Sequence, residues 1–248
     1  MRPTVLPAAA LALAVATTAP AARAGDWGGL FPSIWLTSDY RYQGVSNSDR
    51  QAALQGNVHY WRPDGLYAGV FASTVDFNDG STSFELDSYA GKNWDLDKGR
   101  TRLTAEVMHT AFPDNETPGA TYDFVQFKVA ARRQQGPVAL MATTSYVPEG
   151  SYGAGYAWRL EGEAQYAVTP ALTLKALAGR RWEETRSDRA YWGLGASLGI
   201  GGQPLWRDYV LEVRYQDTDR GKRDCGYIPD ICGPAIVGTI TVNLKPIL

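Results

Sequence analysis

Along most of the chain, apolar and polar residues alternate one for one. In WRLEGEAQYAV, Trp158, Leu160, Gly162, Ala164, Tyr166 and Val168 form one face, and Arg159, Glu161, Glu163 and Gln165 the other. DYVLEVRYQ repeats the arrangement, with Tyr209, Leu211, Val213 and Tyr215 opposed to Glu212, Arg214 and Gln216. A period of two is the signature of a strand with two unlike faces. Segments of this kind recur near residues 33–44, 52–61, 65–77, 83–96, 100–112, 121–133, 137–147, 156–168, 171–184, 189–200, 207–218 and 235–245, which predicts about twelve strands. In the first of them, Asp39, Arg41 and Gln43 interleave with Tyr40, Tyr42 and Gly44; in the second, Gln55, Asn57 and His59 interleave with Leu54, Gly56, Val58 and Tyr60. The alternation is weakest over 65–77 and 189–200. Helix-period stretches are nearly absent.

The connections sort into two kinds. RPDG, DLDKG, QQGP, VTPA and GGQPL are short and built from turn residues. Between them fall longer polar segments: QGVSNSDRQ, NDGSTS, PDNETPGAT, PEGSYGAGY, EETRSDR and DTDRGKRDCGYIPDICGP. Short and long alternate along the chain, which predicts an antiparallel transmembrane β-barrel with short periplasmic turns and longer external loops. Strands of about ten to thirteen residues suit a tilted crossing of a hydrocarbon layer. Trp61, Trp94 and Trp206 fall beside short turns, and Trp158, Trp182 and Trp192 beside long loops, as two aromatic belts require. A β-sandwich would have to bury the charged faces, whereas a barrel gives them a wet interior.

The first residues add a compartment. Arg2 precedes the apolar run VLPAAALALAVATTAP, and Ala22-Arg23-Ala24 fits a cleavage site, so residues 1–24 are expected to be a signal peptide and residues 25–248 the barrel. No later stretch has 18 consecutive apolar residues, so no helical span is predicted. The 24 basic and 26 acidic residues nearly balance, which argues against a nucleic-acid partner. Cys225 and Cys232 enclose GYIPDI in the longest predicted loop; in an oxidising compartment they are expected to form a disulfide. A metal site would need further ligands nearby, and a redox motif a C-x-x-C spacing.

SDYRYQGVSNSD, ALQG, GLYAGVFASTVDF and ELDSYAG, in this order over residues 38–91, resemble the TorF family of proteobacterial porin-like proteins. The resemblance implies an outer-membrane barrel of a Gram-negative bacterium that passes small solutes. It brings no catalytic residues and no cofactor.

Other chemistries fare less well. GASLG, residues 195–199, matches a nucleophile elbow, but that motif needs a helix after the serine and a histidine later in the chain. Both histidines, His59 and His109, lie upstream, and the stretch alternates like a strand. The two histidines leave a lipid-modifying barrel enzyme as the third reading. The charged residues expected to line the lumen are Asp39, Arg41, Glu85, Asp87, Arg102, Glu106, Lys128, Arg132, Arg159, Glu161, Glu163, Lys175, Arg181, Glu212 and Arg214. Glu85 and Asp87 are expected to be balanced by arginines across the bore rather than to bind a cation. Mixed signs predict weak ion selectivity. The leading expectation is passive diffusion of small hydrophilic solutes, with membrane lipids around the barrel. The alternative is a sealed barrel with a structural, adhesive or receptor role through its loops.

Overall fold

The structure, a computed structural model, describes residues 28–118, 121–150, 154–202, 207–221 and 230–247. The expected signal peptide, Trp206 and Cys225 lie outside the described residues. Strands run over Gly29–Thr37 (β1), Arg41–Tyr42 (β2), Val45–Ser46 (β3), Ala53–Trp61 (β4), Leu66–Thr74 (β5), Phe84–Leu96 (β6) and Thr101–Ala111 (β7). They continue over Phe124–Gln135 (β8), Val138–Val147 (β9), Ala157–Ala167 (β10), Leu172–Glu183 (β11), Arg189–Ile200 (β12), Tyr209–Thr218 (β13) and Ala235–Asn243 (β14). All except β2 and β3 join one closed antiparallel barrel in sequence order, with β1 returning to pair with β14. Closure leaves none of these wall strands with an unpaired edge.

The two faces follow from the alternation. Leu54, Leu160, Leu194 and Val213 are more than half exposed on the outside, and Trp158, Trp182 and Trp192 stand outward at the long-loop end. Trp94 stands outward near the short-turn end. Across the ladder Trp158 is the partner of Trp182, so the belt at the loop end is continuous over neighbouring strands. Water would not tolerate this exterior, but a bilayer is its natural solvent. The interior faces carry Gln55, Glu85, Asp87, Gln126, Arg159 and Arg181, all buried.

Eleven of the expected strands appear within a few residues of their expected bounds. The first does not. Expected over 33–44, it runs from Gly29 and stops at Thr37. Its early start was hidden by Pro32, which cannot donate to a ladder and usually marks an edge or a strand's beginning. Here Pro32 faces Val58 of β4, while the pairing with β14 begins only at Ser33. Beyond Thr37 the chain leaves the wall, and this departure builds the site.

Candidate functional site

Residues 38–52 join β1 to β4 at the long-loop end, but they fold into the barrel instead of standing above it. Within them β2 and β3 form a small hairpin whose two turn residues, Gln43 and Gly44, both have positive φ (52° and 79°). That is the two-residue turn whose twist matches a hairpin, and a glycine at its second position relieves half of its strain. Gly44 is also pressed on the wall: a Cβ there would lie 2.4 Å from Thr218 Cγ2. Asp39 steadies the base of the hairpin, accepting from the Ser46 hydroxyl at 2.6 Å and pairing with Arg41 at 3.4 Å.

The segment touches widely separated parts of the wall. The Tyr40 hydroxyl donates to Glu85 Oε1 of β6 at 2.9 Å, and the Tyr42 hydroxyl reaches Gln126 Oε1 of β8 at 3.4 Å. Arg189 of β12 donates to the Gln43 amide oxygen at 3.4 Å. Arg41 donates to the carbonyls of Ile231 and Gly233, just before β14, at 2.6 and 2.8 Å. Tyr40, Phe71, Val75, Phe77, Met108, Phe112, Tyr122, Phe124 and Val147 form an apolar cluster inside this end of the barrel. The alternation of Asp39, Arg41 and Gln43 with Tyr40 and Tyr42 therefore does not divide lumen from lipid. All five side chains lie inside, and Asp39 and Arg41 belong to the inward hairpin rather than to a wall strand.

The other expected lumen residues lie on wall strands, mostly as ion pairs. Lys128 meets Glu106 at 2.6 Å, Arg181 meets Glu183 at 2.6 Å, and Arg214 meets Glu212 at 2.7 Å; Lys175 also binds Glu212. Arg159 stands 3.7 Å from Glu161, whose Oε2 accepts the Tyr191 hydroxyl at 2.7 Å. Glu163 accepts from Gln165, and Arg132 donates to Gln134. Arg102 makes a two-pronged pair with Asp95 near the short-turn end.

Glu85 and Asp87 depart from expectation. Both are completely buried, yet among the described residues neither makes a salt bridge. What meets Glu85 is the Tyr40 hydroxyl, and its Oε2 accepts no hydrogen bond. Asp87 stands opposite Thr110 in the ladder.

The histidines are separated by the wall. His59 faces inward, tilted against Tyr67 and stacked on Tyr89, with its Nδ1 3.2 Å from the Tyr89 hydroxyl. His109 faces outward, opposite Ser88, with no hydrogen bond joining them. GASLG lies within β12, with no helix following. Among the described residues no three His, Cys, Asp or Glu side chains are grouped to hold a metal ion. The expected Cys225–Cys232 bridge has one end outside the described residues.

Sequence reasoning missed Glu183, Arg189, Gln126 and the two tyrosines of the hairpin. Arg189 had a signal: Arg189, Tyr191, Gly193, Gly195 and Ser197 alternate with Ala190, Trp192, Leu194 and Leu198. The weak contrast of glycine and alanine with leucine obscured it. Outside the bore, Asp79 ties two long loops together. It accepts from the backbone N–H groups of Ser81 and Thr82 and from the hydroxyls of Thr82 and Tyr122, the last two at 2.7 Å. Partial burial pushes its carboxyl up, but these donors outweigh it and hold the group down at about 2.

Several solved structures that share this architecture are outer-membrane porins and channels. The chain superimposes on the KdgM porin, solved in complex with disordered oligogalacturonate, with a TM-score of 0.55 and 7% identity, over 87% of this chain and 99% of that one. For the NanC porin the TM-score is 0.56 at 8% identity, over 88% and 99% of the two chains. For an outer-membrane channel of Pseudomonas putida F1 it is 0.57 at 12% identity, over 90% and 98%. Identities this low establish a shared fold. No curated protein matches the chain in sequence. Residues 29–230 match the model of a bacterial protein family of unknown function, Gcw_chp, and the chain belongs to that family.

Proposed function

We propose that this protein is an outer-membrane, porin-like channel for passive diffusion of small hydrophilic solutes, with its bore narrowed by residues 38–52. The observation that carries the reading is the closed barrel whose exterior is apolar and whose interior is ionic. An interior built only for stability would be apolar, because paired charges offset their own desolvation poorly. The likeness to channels and the resemblance of residues 38–91 to the TorF family support it. In this reading residues 1–24 are the signal peptide, and Cys225 and Cys232 brace the last long loop. Lipids surround the barrel, and the charged residues named above tune what passes. Both signs are present in similar number, so monovalent salt should pass with weak selectivity.

A second reading, a sealed barrel that works through its loops, is favoured by one observation. Tyr40, Tyr42, Asn47, Glu85 and Asp87 are almost wholly shielded from solvent, as in a filled interior. Single-channel conductance of refolded protein in a planar bilayer decides between the two. Heat-modified gel mobility serves as the folding control, and a variant lacking residues 41–46 is run in parallel. Discrete steps from the intact chain, larger in the shortened one, support the channel. Silence in the intact chain with steps in the shortened one supports the sealed barrel. Silence in both, with both folded, removes the channel reading.

A further inference from the structure

Three arginines stand side by side on the inner wall. Arg159 of β10 is the ladder partner of Arg181 of β11, and Arg181 is the partner of Arg189 of β12. The row runs on through Ser145 to Lys128. Like charges placed directly opposite one another are destabilising, so such a row calls for counter-charge. What the wall supplies is incomplete. Lys128 has Glu106, and Arg181 has Glu183. Glu161 lies 3.7 Å from Arg159 and is shared with the Tyr191 hydroxyl. Arg189 has no carboxylate within ion-pair distance among the described residues; its partner is the neutral amide of Gln43.

At this row the unmet hydrogen-bonding groups are one-sided as well. Arg159 Nη2, Arg189 Nε and Gln43 Nε2 are buried and meet no acceptor. Their side chains belong to residues only 2%, 9% and 6% exposed. All three orphaned atoms are donors. Unmet buried donors are costly, and a charged acceptor is the group that satisfies guanidinium donors best. Gln43 fits the position poorly: its amide oxygen lies at a long 3.4 Å, and its φ of 52° is one that residues with side chains rarely adopt.

We infer that the Arg159–Arg181–Arg189 row binds a small solute carrying two or more carboxylates, and that Gln43 at the hairpin tip occupies the place of one of them. Neighbouring strands lie about 4.8 Å apart, so the outer two arginines of the row are about 10 Å apart at the backbone. Carboxylates joined by a short carbon chain can engage more than one guanidinium over that span, each by a two-pronged contact. The incoming solute displaces the Gln43 amide, so the inward hairpin is both cap and competitor. This names a solute class for the proposed channel and takes that reading as its setting. Weak selectivity for potassium chloride is compatible with it, because the row is local while the interior as a whole is balanced.

The test is a calorimetric titration of the full-length barrel, refolded in detergent, with tricarballylate; glycerol and inorganic phosphate are the comparison titrants. Saturable binding of tricarballylate alone is expected. Gln43→Glu places a tethered carboxylate in the site and should abolish it, since an intramolecular competitor acts at a high effective concentration. Gln43→Ala should retain or tighten it. Arg189→Gln should weaken it by at least about tenfold, the effect of losing one charge-assisted hydrogen bond. If Arg189→Gln fails the gel-mobility test of folding, Gln43→Glu, altered only at the hairpin tip, carries the decision. The inference is overturned if wild type shows no saturable binding, if Gln43→Glu binds as wild type does, or if phosphate or glycerol binds as tightly. Because no current is measured, a silent barrel that binds would remove the channel and keep the site. A conducting barrel that fails to bind would do the reverse.

Discussion

Tyr191 reaches Glu161 by crossing the strand between them, and it can do so only because residue 179 has no side chain. Gly179 lies between the two in the ladder, and a Cβ on it would come within 2.4 Å of the tyrosine's Cζ and hydroxyl. Gly179→Ala should therefore break the Tyr191–Glu161 bond and destabilise the barrel by about 1–3 kcal/mol, as other overpacked sites do. Denaturant titration of the refolded protein reads this directly, and an unchanged midpoint would disprove the packing argument. Asp87 invites the opposite change. A carboxylate shielded from water, with no cation beside it, is a liability that a neutral amide of the same shape would relieve. Asp87→Asn should raise stability by about 1–3 kcal/mol in the same titration. A fall would overturn this argument and mean that the carboxyl is matched inside the barrel. Neither effect was legible in the sequence. Alternation assigns a residue to a face, but the partner across the ladder depends on register, which a list of alternating residues leaves open.

Among the elements, the strands were legible wherever one face is lipid and the other water. WRLEGEAQYAV and DYVLEVRYQ show it, because Leu160 stands between Arg159 and Glu161, and Val213 between Glu212 and Arg214. SDYRYQG shows the same alternation and is not a wall strand. An extended segment inside a barrel also alternates, with polar groups seeking hydrogen-bond partners and aromatic rings seeking cover. Period two reports an extended backbone with unlike sides, not what those sides meet. The long loops were legible as loops, but not the tie between two of them. Asp79, on the β5–β6 connection, holds Tyr122 on the β7–β8 connection. Its carboxyl is depressed from 3.8 to about 2, so its stabilising contribution is complete well above pH 4 and drains away as pH falls towards 2. Proteolysis of the two loops should accelerate over that window, measured with an acid-active protease. Asp79→Asn, which loses acceptor capacity at any pH, should remove the pH dependence. A variant that keeps the wild-type profile would show that the tie lies elsewhere.

For the whole molecule, the interior differs from a random scatter of both signs. Net balance was legible by counting, and it underlies the expectation that a potassium chloride gradient gives a reversal potential near zero. A strongly biased potential would contradict it. The distribution was not legible. Register brings Arg159, Arg181 and Arg189 together on one wall, while Glu85 and Asp87 stand on another, with the tyrosines of the hairpin between them. A tally of residue types cannot show this, because which residues stand opposite one another is fixed by register and not by composition.

The hairpin's hold on the last connection has a consequence for how long the cylinder stays shut. The chain's first and last strands meet over Ser33–Thr37 only, against the whole of Gly29–Thr37 on β1's other side. That short joint is where a closed sheet would first unzip. At one end it is pinned by the mutual bonds of Leu30 and Ile247; at the other, Arg41 reaches from beside β1 to the carbonyls ahead of β14. The segment folded into the barrel thus also fastens the seam. Loosening that segment would therefore cost heat resistance, which a longer joint between β1 and β14 would restore.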